Sequence, residues 1–156
     1  MIDKNPNFTP QEYQARIAKT RAAMDAAQLD AIFVTDPSNM SWLTGYDGWS
    51  FYVHQGVVLT MTGEPIWWGR AMDAVGAGRT VFMKGGDTIR GYDDTFVQNP
   101  DKHPMQELAA LLAEHGLAHA RIGVHMDNYY HTAAAHATLS ARLPHSHLKH
   151  PTDRAN

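Results

Sequence analysis

Ten histidines, one pair of adjacent aspartates and one dense run of aromatic rings are the residues of this 156-residue chain whose types could do chemistry. Histidine raises metal binding first. His131 and His136 are five apart, which does not place two imidazoles on one helical face, and no His-Glu-x-x-His pattern occurs. His145, His147 and His150 crowd the tail without a fixed frame, so a metal held there would be adventitious. Asp93 and Asp94 could divide general acid and base work, yet neighbours in an extended segment point to opposite sides. Ser41 and Ser50 lack the Gly-x-Ser-x-Gly elbow that exposes a nucleophile. Val75-Gly76-Ala77-Gly78-Arg79-Thr80 has neither the glycine spacing of a dinucleotide loop nor the lysine of a P-loop. No self-sufficient active site is legible, and no metal site is expected.

The rings are a different matter. Residues 42–55 read WLTGYDGWSFYVHQ, five aromatic rings in fourteen positions. Trp42 and Leu43 are expected to pack inward from a short helix. Tyr46, Trp49, Phe51, Tyr52 and His54 are harder to bury together, because Tyr46 and Trp49 fall in a glycine-bounded loop and loops ride on the surface. Exposed, clustered rings mark an interface or a ligand pocket, since Tyr and Trp offer a large contact area with a polar handle.

The elements that must hold these residues alternate between helix and strand. Thr9-Pro10-Gln11-Glu12 is a capping box with proline at the first helical position. Tyr13, Ile17, Thr20, Met24 and Ala27 follow at helical spacing, so a helix to about Ala27 buries one stripe. Residues 30–35 read as a buried strand. Ser38 is expected to cap a helix from Asn39 to Thr44, closed by Gly45. A strand over 51–61 turns through Thr62-Gly63-Glu64-Pro65 into a hairpin partner at 66–69. Next come a helix from Arg70 to Ala77, a strand over 80–83, an edge strand over 89–92 and a loop over 93–102. His103-Pro104 opens an amphipathic helix stopped by Gly116, followed by a strand over 121–126. Asp127 or Asn128 is expected to cap a last helix carrying Tyr129 and Tyr130. Strands separated by helical crossovers imply one α/β domain, a mixed sheet with helices on its faces.

Bulk properties agree. The chain is 44% hydrophobic and 19% charged, with a formal charge of -3 and no cysteine. Such a composition buries a core and argues against disorder. Slight acidity argues against nucleic acid, whose phosphates need clustered Lys and Arg. No apolar run approaches the ~20 residues of a membrane span. The absence of cysteine, with no signal-peptide core at the start, fits the cytoplasm.

Five stretches, in order, carry a specific resemblance: Asp36-Pro37-Ser38-Asn39-Met40, residues 42–55, Trp68-Gly69-Arg70, His103-Pro104-Met105, and Ile122 to Tyr130. Together they resemble the amino-terminal domain of the creatinase and Xaa-Pro peptidase (M24) family, in its ectoine-hydrolase branch. The similarity runs from about Phe8 to Pro144. It implies a ribonuclease H-like α/β domain over 1–144 that precedes a larger pita-bread catalytic domain absent from this chain. It also implies a hydrolase that opens the cyclic amidine of ectoine, working as a dimer in which this domain covers the partner subunit's active site. Catalytic residues and any metal ligands would belong to the further domain, so this chain alone is expected to be inactive and to hold no cofactor. The partners implied are a second copy or a partner subunit's catalytic domain, and ectoine or a related small molecule.

On that resemblance Trp49, Phe51, Tyr52 and His54 are the expected substrate contacts, made in trans. In creatinase a Ser-Phe-Gly-Arg segment falls here and binds the substrate carboxylate. This sequence keeps Ser50-Phe51 but continues Tyr52-Val53, so that arginine is missing and a ring-shaped substrate could stack on Trp49 or Phe51. Two alternatives stay open: a non-catalytic dimerisation module, and the amino-terminal domain of an Xaa-Pro aminopeptidase or dipeptidase. The pattern also departs from the family at His125, where an acidic residue is usual. From Pro144 the apolar alternation is lost, so 145–156 is expected to be a non-native or disordered tail on a truncated or frameshifted chain.

Overall fold

The computed structural model describes residues 6–151. Its elements are α1 (Pro10–Ala26), β1 (Ala31–Val34), α2 (Pro37–Thr44), β2 (Gly56–Thr60), β3 (Ile66–Arg70), α3 (Ala74–Thr80), β4 (Ile89–Tyr92), α4 (Met105–Glu114), β5 (Arg121–Val124), α5 (Ala133–Arg142) and β6 (His147–Lys149). The strands form one sheet in the order β4-β3-β2-β1-β5-β6. β2 runs antiparallel to both β1 and β3, whereas β1–β5, β3–β4 and β5–β6 pair in parallel. Five strands therefore share one direction and β2 alone opposes them.

Both faces of the sheet are covered, which explains its nearly continuous apolar strands. Ile32, Val34, Val57, Leu59 and Trp67 face a core shared with Tyr13, Ile17 and Met24 of α1 and with Met40 and Leu43 of α2. Ala31, Phe33, Val58, Trp68 and Ile122 face the other core, filled by Leu108, Leu111 and Leu112 of α4 and Leu139 of α5. Strand alternation divides the two sets, as a period of two requires. The mixed α/β sheet with helices on its faces is the architecture expected from the sequence.

Local chemistry accounts for the helix starts. The Thr9 hydroxyl accepts from Glu12 N at 3.2 Å, as a cap should. α2 starts two residues before its expected position, because the cap is Asp36, whose carboxylate accepts from Asn39 N at 3.0 Å. Gly45 closes α2 with φ 82, the left-handed conformation that costs glycine least. The last helix is capped by Thr132, not Asp127 or Asn128, which leaves Tyr129 and Tyr130 in the preceding loop.

Three further expectations differ from the structure. The strand expected from Phe51 begins only at Gly56, since Val53 N donates to Ser50 O at 3.0 Å and turns the chain. Residues 80–83 are not a strand: Val81, Phe82 and Met83 are buried, but Phe82 N bonds to Thr44 O and the Phe82 ring stacks on Tyr13. Within the expected tail, His147–Lys149 is a strand in register with β5, and Leu148 packs against the α4/α5 core. A three-residue edge strand needs only one inward side chain, too little to register as alternation. The rest of that expectation, 152–156, lies outside the described residues.

Candidate functional site

Strand direction decides where a site can be. The carboxyl ends of β1, β3, β4, β5 and β6 reach one edge of the sheet, and because β2 is reversed its amino end lies there too. Ligands of open α/β sheets bind at that edge, where strand order changes side. Here β2 and β5 flank β1 on opposite sides, so the change of side falls between the segment after β1 and the loop after β5. The ring-rich segment, 45–55, enters β2 at the same edge.

The segment divides its rings. Tyr46 is buried, contrary to the surface position expected, and its hydroxyl donates to Gln55 Oε1 at 2.8 Å. Burial, with a contribution from Asp73, pushes the Tyr46 phenol up to about 12. Gly48 lets the chain cross this ring: a Cβ there would lie 2.2 Å from the Tyr46 oxygen. Anchored so, the next residues project outward. Trp49 is 82% exposed, Tyr52 71% and Phe51 43%. They touch in sequence, Trp49 to Phe51 at 6.0 Å between centroids and Phe51 to Tyr52 at 6.3 Å. Trp42 also differs from expectation, at 41% exposed. Its carbonyl accepts from Arg16, whose guanidinium lies 5.5 Å from the Trp42 ring centroid. Leu43 is buried, as expected.

A second loop completes the rim. Residues 125–132, after β5, bring Tyr130 edge-on to Phe51 at 6.4 Å, with Tyr129 fully outward and Met126 beside it in sequence. The sequence reading missed this contribution by assigning both tyrosines to a helix. The signal was present in Asn128, whose side chain accepts from Tyr130 N at 2.9 Å and shapes a turn.

Histidines lie beneath and beside the rim. The Tyr92 hydroxyl, from the end of β4, donates to the His54 carbonyl at 2.7 Å, and the His54 and His103 rings stand 4.7 Å apart. His131 is buried, with Nε2 3.3 Å from His136 Nδ1. Burial first, then the neighbouring imidazoles His103 and His131, lowers His54 to about 4. Burial first, then His136 and His125, does the same to His131. Both rings are therefore neutral at pH 7. Of the sequence-selected histidines, His131 and His136 do meet. Among the described residues no group of three or more His, Cys, Asp or Glu could hold a metal ion.

The remaining candidates disperse. Asp93 caps a turn by accepting from Thr95 N, while Asp94 holds Arg70 through two hydrogen bonds, at 2.5 and 2.9 Å. That pair ties β3 to the loop after β4 and leaves the Arg70 fork occupied, so no free arginine fork faces the rim from this position. The arrangement offers exposed rings with neutral imidazoles beside them.

Comparison with known proteins places the chain in a family. Residues 16–153 match the family model described as Creatinase/Prolidase N-terminal domain. An ectoine hydrolase of Halomonas elongata is 50% identical over 94% of this chain, which spans only 37% of that protein. An uncharacterized hydrolase/peptidase, y4tM, of Sinorhizobium fredii is 37% identical over 88% of the chain, again about a third of its own length (35%). Among solved structures, a proline dipeptidase from Streptococcus pneumoniae superposes with TM-score 0.68 at 20% identity, covering 88% of this chain and 91% of that one. Dipeptidase PepE from Mycobacterium ulcerans does so with TM-score 0.65 at 22% identity, covering 88% of this chain and 34% of that one. At such identities the structures speak for the fold alone. No helix among the described residues is long and apolar enough to cross a membrane.

Proposed function

Because the chain belongs to the creatinase/prolidase N-terminal domain family, we propose that it is the amino-terminal domain of an ectoine-hydrolase-like M24 hydrolase, contributing dimer contacts and part of the substrate pocket in trans. In this reading Trp49, Phe51 and Tyr52 face the partner subunit's active site, with His54 behind them. The catalytic groups belong to a further domain, and the chain alone does not turn over substrate.

The observation that carries the reading is the exposed rim itself. Three consecutive ring contacts project from a buried anchor at the ligand-binding edge, on a chain half identical to an ectoine hydrolase. Ectoine is a small cyclic amidine bearing a carboxylate. Its delocalised cation suits an aromatic face, where cation–π attraction contributes about 0.5–2 kcal/mol.

The test places Trp49→Ala and Tyr52→Ala at the matching positions of a full-length homologue and follows ectoine ring opening. kcat/KM should fall by roughly 10–100-fold for ~1.4–2.8 kcal/mol of lost contact, with thermal stability unchanged. Unchanged turnover would reject the pocket role and leave a dimerisation module as the better account. Ring opening by this chain alone would reject the division of labour.

A further inference from the structure

Beside the rim, a cleft of about 250 Å³ opens between residues 52–54, the end of β4 and the loop over 96–104. We propose that this cleft is a binding site for a small carboxylate, held at the edges of the His54 and His103 imidazoles with Lys102 lining the same cleft.

Chemistry at three positions supports the assignment. Met105 N donates to His103 Nδ1 at 3.1 Å, which fixes the neutral tautomer with its proton on Nε2, a donor free to serve a ligand. The His54 ring lies 4.7 Å from His103 and, among the described residues, its nitrogens have no hydrogen-bond partner; its residue is held through the backbone carbonyl. Lys102 supplies a cation, 5.4 Å from the Phe96 ring centroid.

The surroundings select the sign of the ligand. Among the described residues no Asp or Glu lines the cleft. Of the carboxylates nearest in the sequence, Asp93 accepts from Thr95 N and Asp94 holds Arg70, while Asp101 is exposed and stands outside the lining. The groups that act on His54 from its surroundings are Tyr92 of β4, His103 before α4 and His131 before α5, with Tyr52 beside it in the chain. None of these supplies a negative charge at neutral pH. The lowered proton affinities of His54 and His103 have burial as their first cause, and for His54 the neighbouring imidazoles of His103 and His131 add to it. An anion in the cleft would relieve that cost.

The wall is built rather than loose. Asn99 donates to Thr95 O and accepts from Asp101 N and Lys102 N, folding the loop on itself, and Gln98 turns the chain with φ 52. Non-glycine residues in this conformation are uncommon and need surrounding structure to hold them. The cleft is smaller than the roughly 300–1,000 Å³ of drug-sized sites, which suits a ligand of amino-acid size or less.

The inference rests on the cleft's own residues and does not require the ectoine reading. Its test uses the purified chain, with acetate as the probe and chloride at equal ionic strength as the control, and follows the histidine ring protons by NMR. The His54 and His103 resonances should shift saturably with acetate and not with chloride. Affinity should tighten several-fold, up to about tenfold, per pH unit between pH 7.5 and 5.5, because anion binding takes up a proton. Lys102→Gln, an exposed change, should weaken binding roughly threefold or more. Linear shifts, an equal response to chloride, or unchanged affinity in both Lys102→Gln and His103→Gln would overturn the proposal. None of these outcomes depends on whether a homologue opens ectoine.

Discussion

The two edges of one sheet are built to opposite standards. At the amino-terminal edge several charges are held in defined pairs. Arg121 grips the Asp30 carboxylate through two guanidinium bonds and its own backbone N, and Asp30 N donates back to the Arg121 carbonyl. Arg90 meets Glu114 bidentately, and Arg21 donates to the carbonyls of Thr60 and Gly63 around the hairpin turn. At the carboxyl edge the connections are long, rings stand in solvent, and polar atoms are buried unpaired. Among the described residues Thr35 Oγ1, Gln55 Nε2, Asp73 Oδ2 and His131 Nδ1, all in connections at that edge, have no hydrogen-bond partner, as do Tyr13 OH and Trp67 Nε1 within α1 and β3. Buried unpaired groups cost about 1–3 kcal/mol each. One edge closes the fold, and the other carries a stability cost that packing alone does not explain.

A core variant sets the scale for that contrast. Replacing Leu112, fully buried on the inner face of α4, by Ala should cost about 2–5 kcal/mol of stability, read as a drop in the urea midpoint. A smaller loss would mean the α4 face is loosely packed and the contrast between edges is one of general disorder.

Acid should separate the edges next. His54 and His131 are lowered in the fold to about 4, so between their ordinary value near 6.5 and pH 4 the unfolded chain binds more protons than the folded one. Stability is therefore complete above pH 6.5 and is lost as pH falls through that window, by about 2 kcal/mol per histidine at pH 5. His131→Gln should remove about half of this pH dependence. A urea midpoint that is flat from pH 7.5 to 5 would contradict the burial assigned to both rings.

The amino-terminal edge should respond less. Its Asp30–Arg121 pair is 41% exposed on each side, so solvent screens it. Asp30→Asn should cost about 0.5–1 kcal/mol, and because the Asp30 carboxyl is held below its ordinary value by Arg121, that contribution fades only in acid below about pH 4. Smallest of all, Trp49→Ala should change folding stability by less than about 0.5 kcal/mol, since an exposed ring buries little. A larger loss there would mean that the rim holds the fold together, and the functional argument from its exposure would fail.

Legibility in the sequence followed the same division. The helix stripe of α1, the hairpin at 56–70 and the Gly45 and Gly116 stops could be read because each rests on local chemistry within a few residues. Exposure of Trp49 was legible from its glycine-bounded loop, and that of Phe51 and Tyr52 only from the crowding of rings, since both were assigned to a strand that begins later, at Gly56. Tyr46 was not, because its burial depends on Gln55 and Trp67, which the fold brings under the ring. The meeting of Phe51 with Tyr130, and of His54 with His103, depends on pairing across tens of residues, which no spacing rule reports. Residues 80–83 were misread because a buried extended segment looks like a strand whether or not it finds a neighbour to bond.

The pairing of β1 with β5 also has a consequence in time. Asp30 and Arg121 are 91 positions apart, whereas β1, β2 and β3 pair with their sequence neighbours. Local contacts form sooner than distant ones, because the chain entropy of a long closure is lost before any contact offsets it. The antiparallel β1-β2-β3 unit is expected to assemble first and to accept β5, with α4 and α5, afterwards. Pulsed hydrogen exchange should show Val58 and Leu59 amides protected before those of Ile122 and Val124; simultaneous protection would mean a single concerted step. On this order the Phe51–Tyr130 contact joins an early half of the molecule to a late one. The aromatic edge then becomes whole only when folding ends.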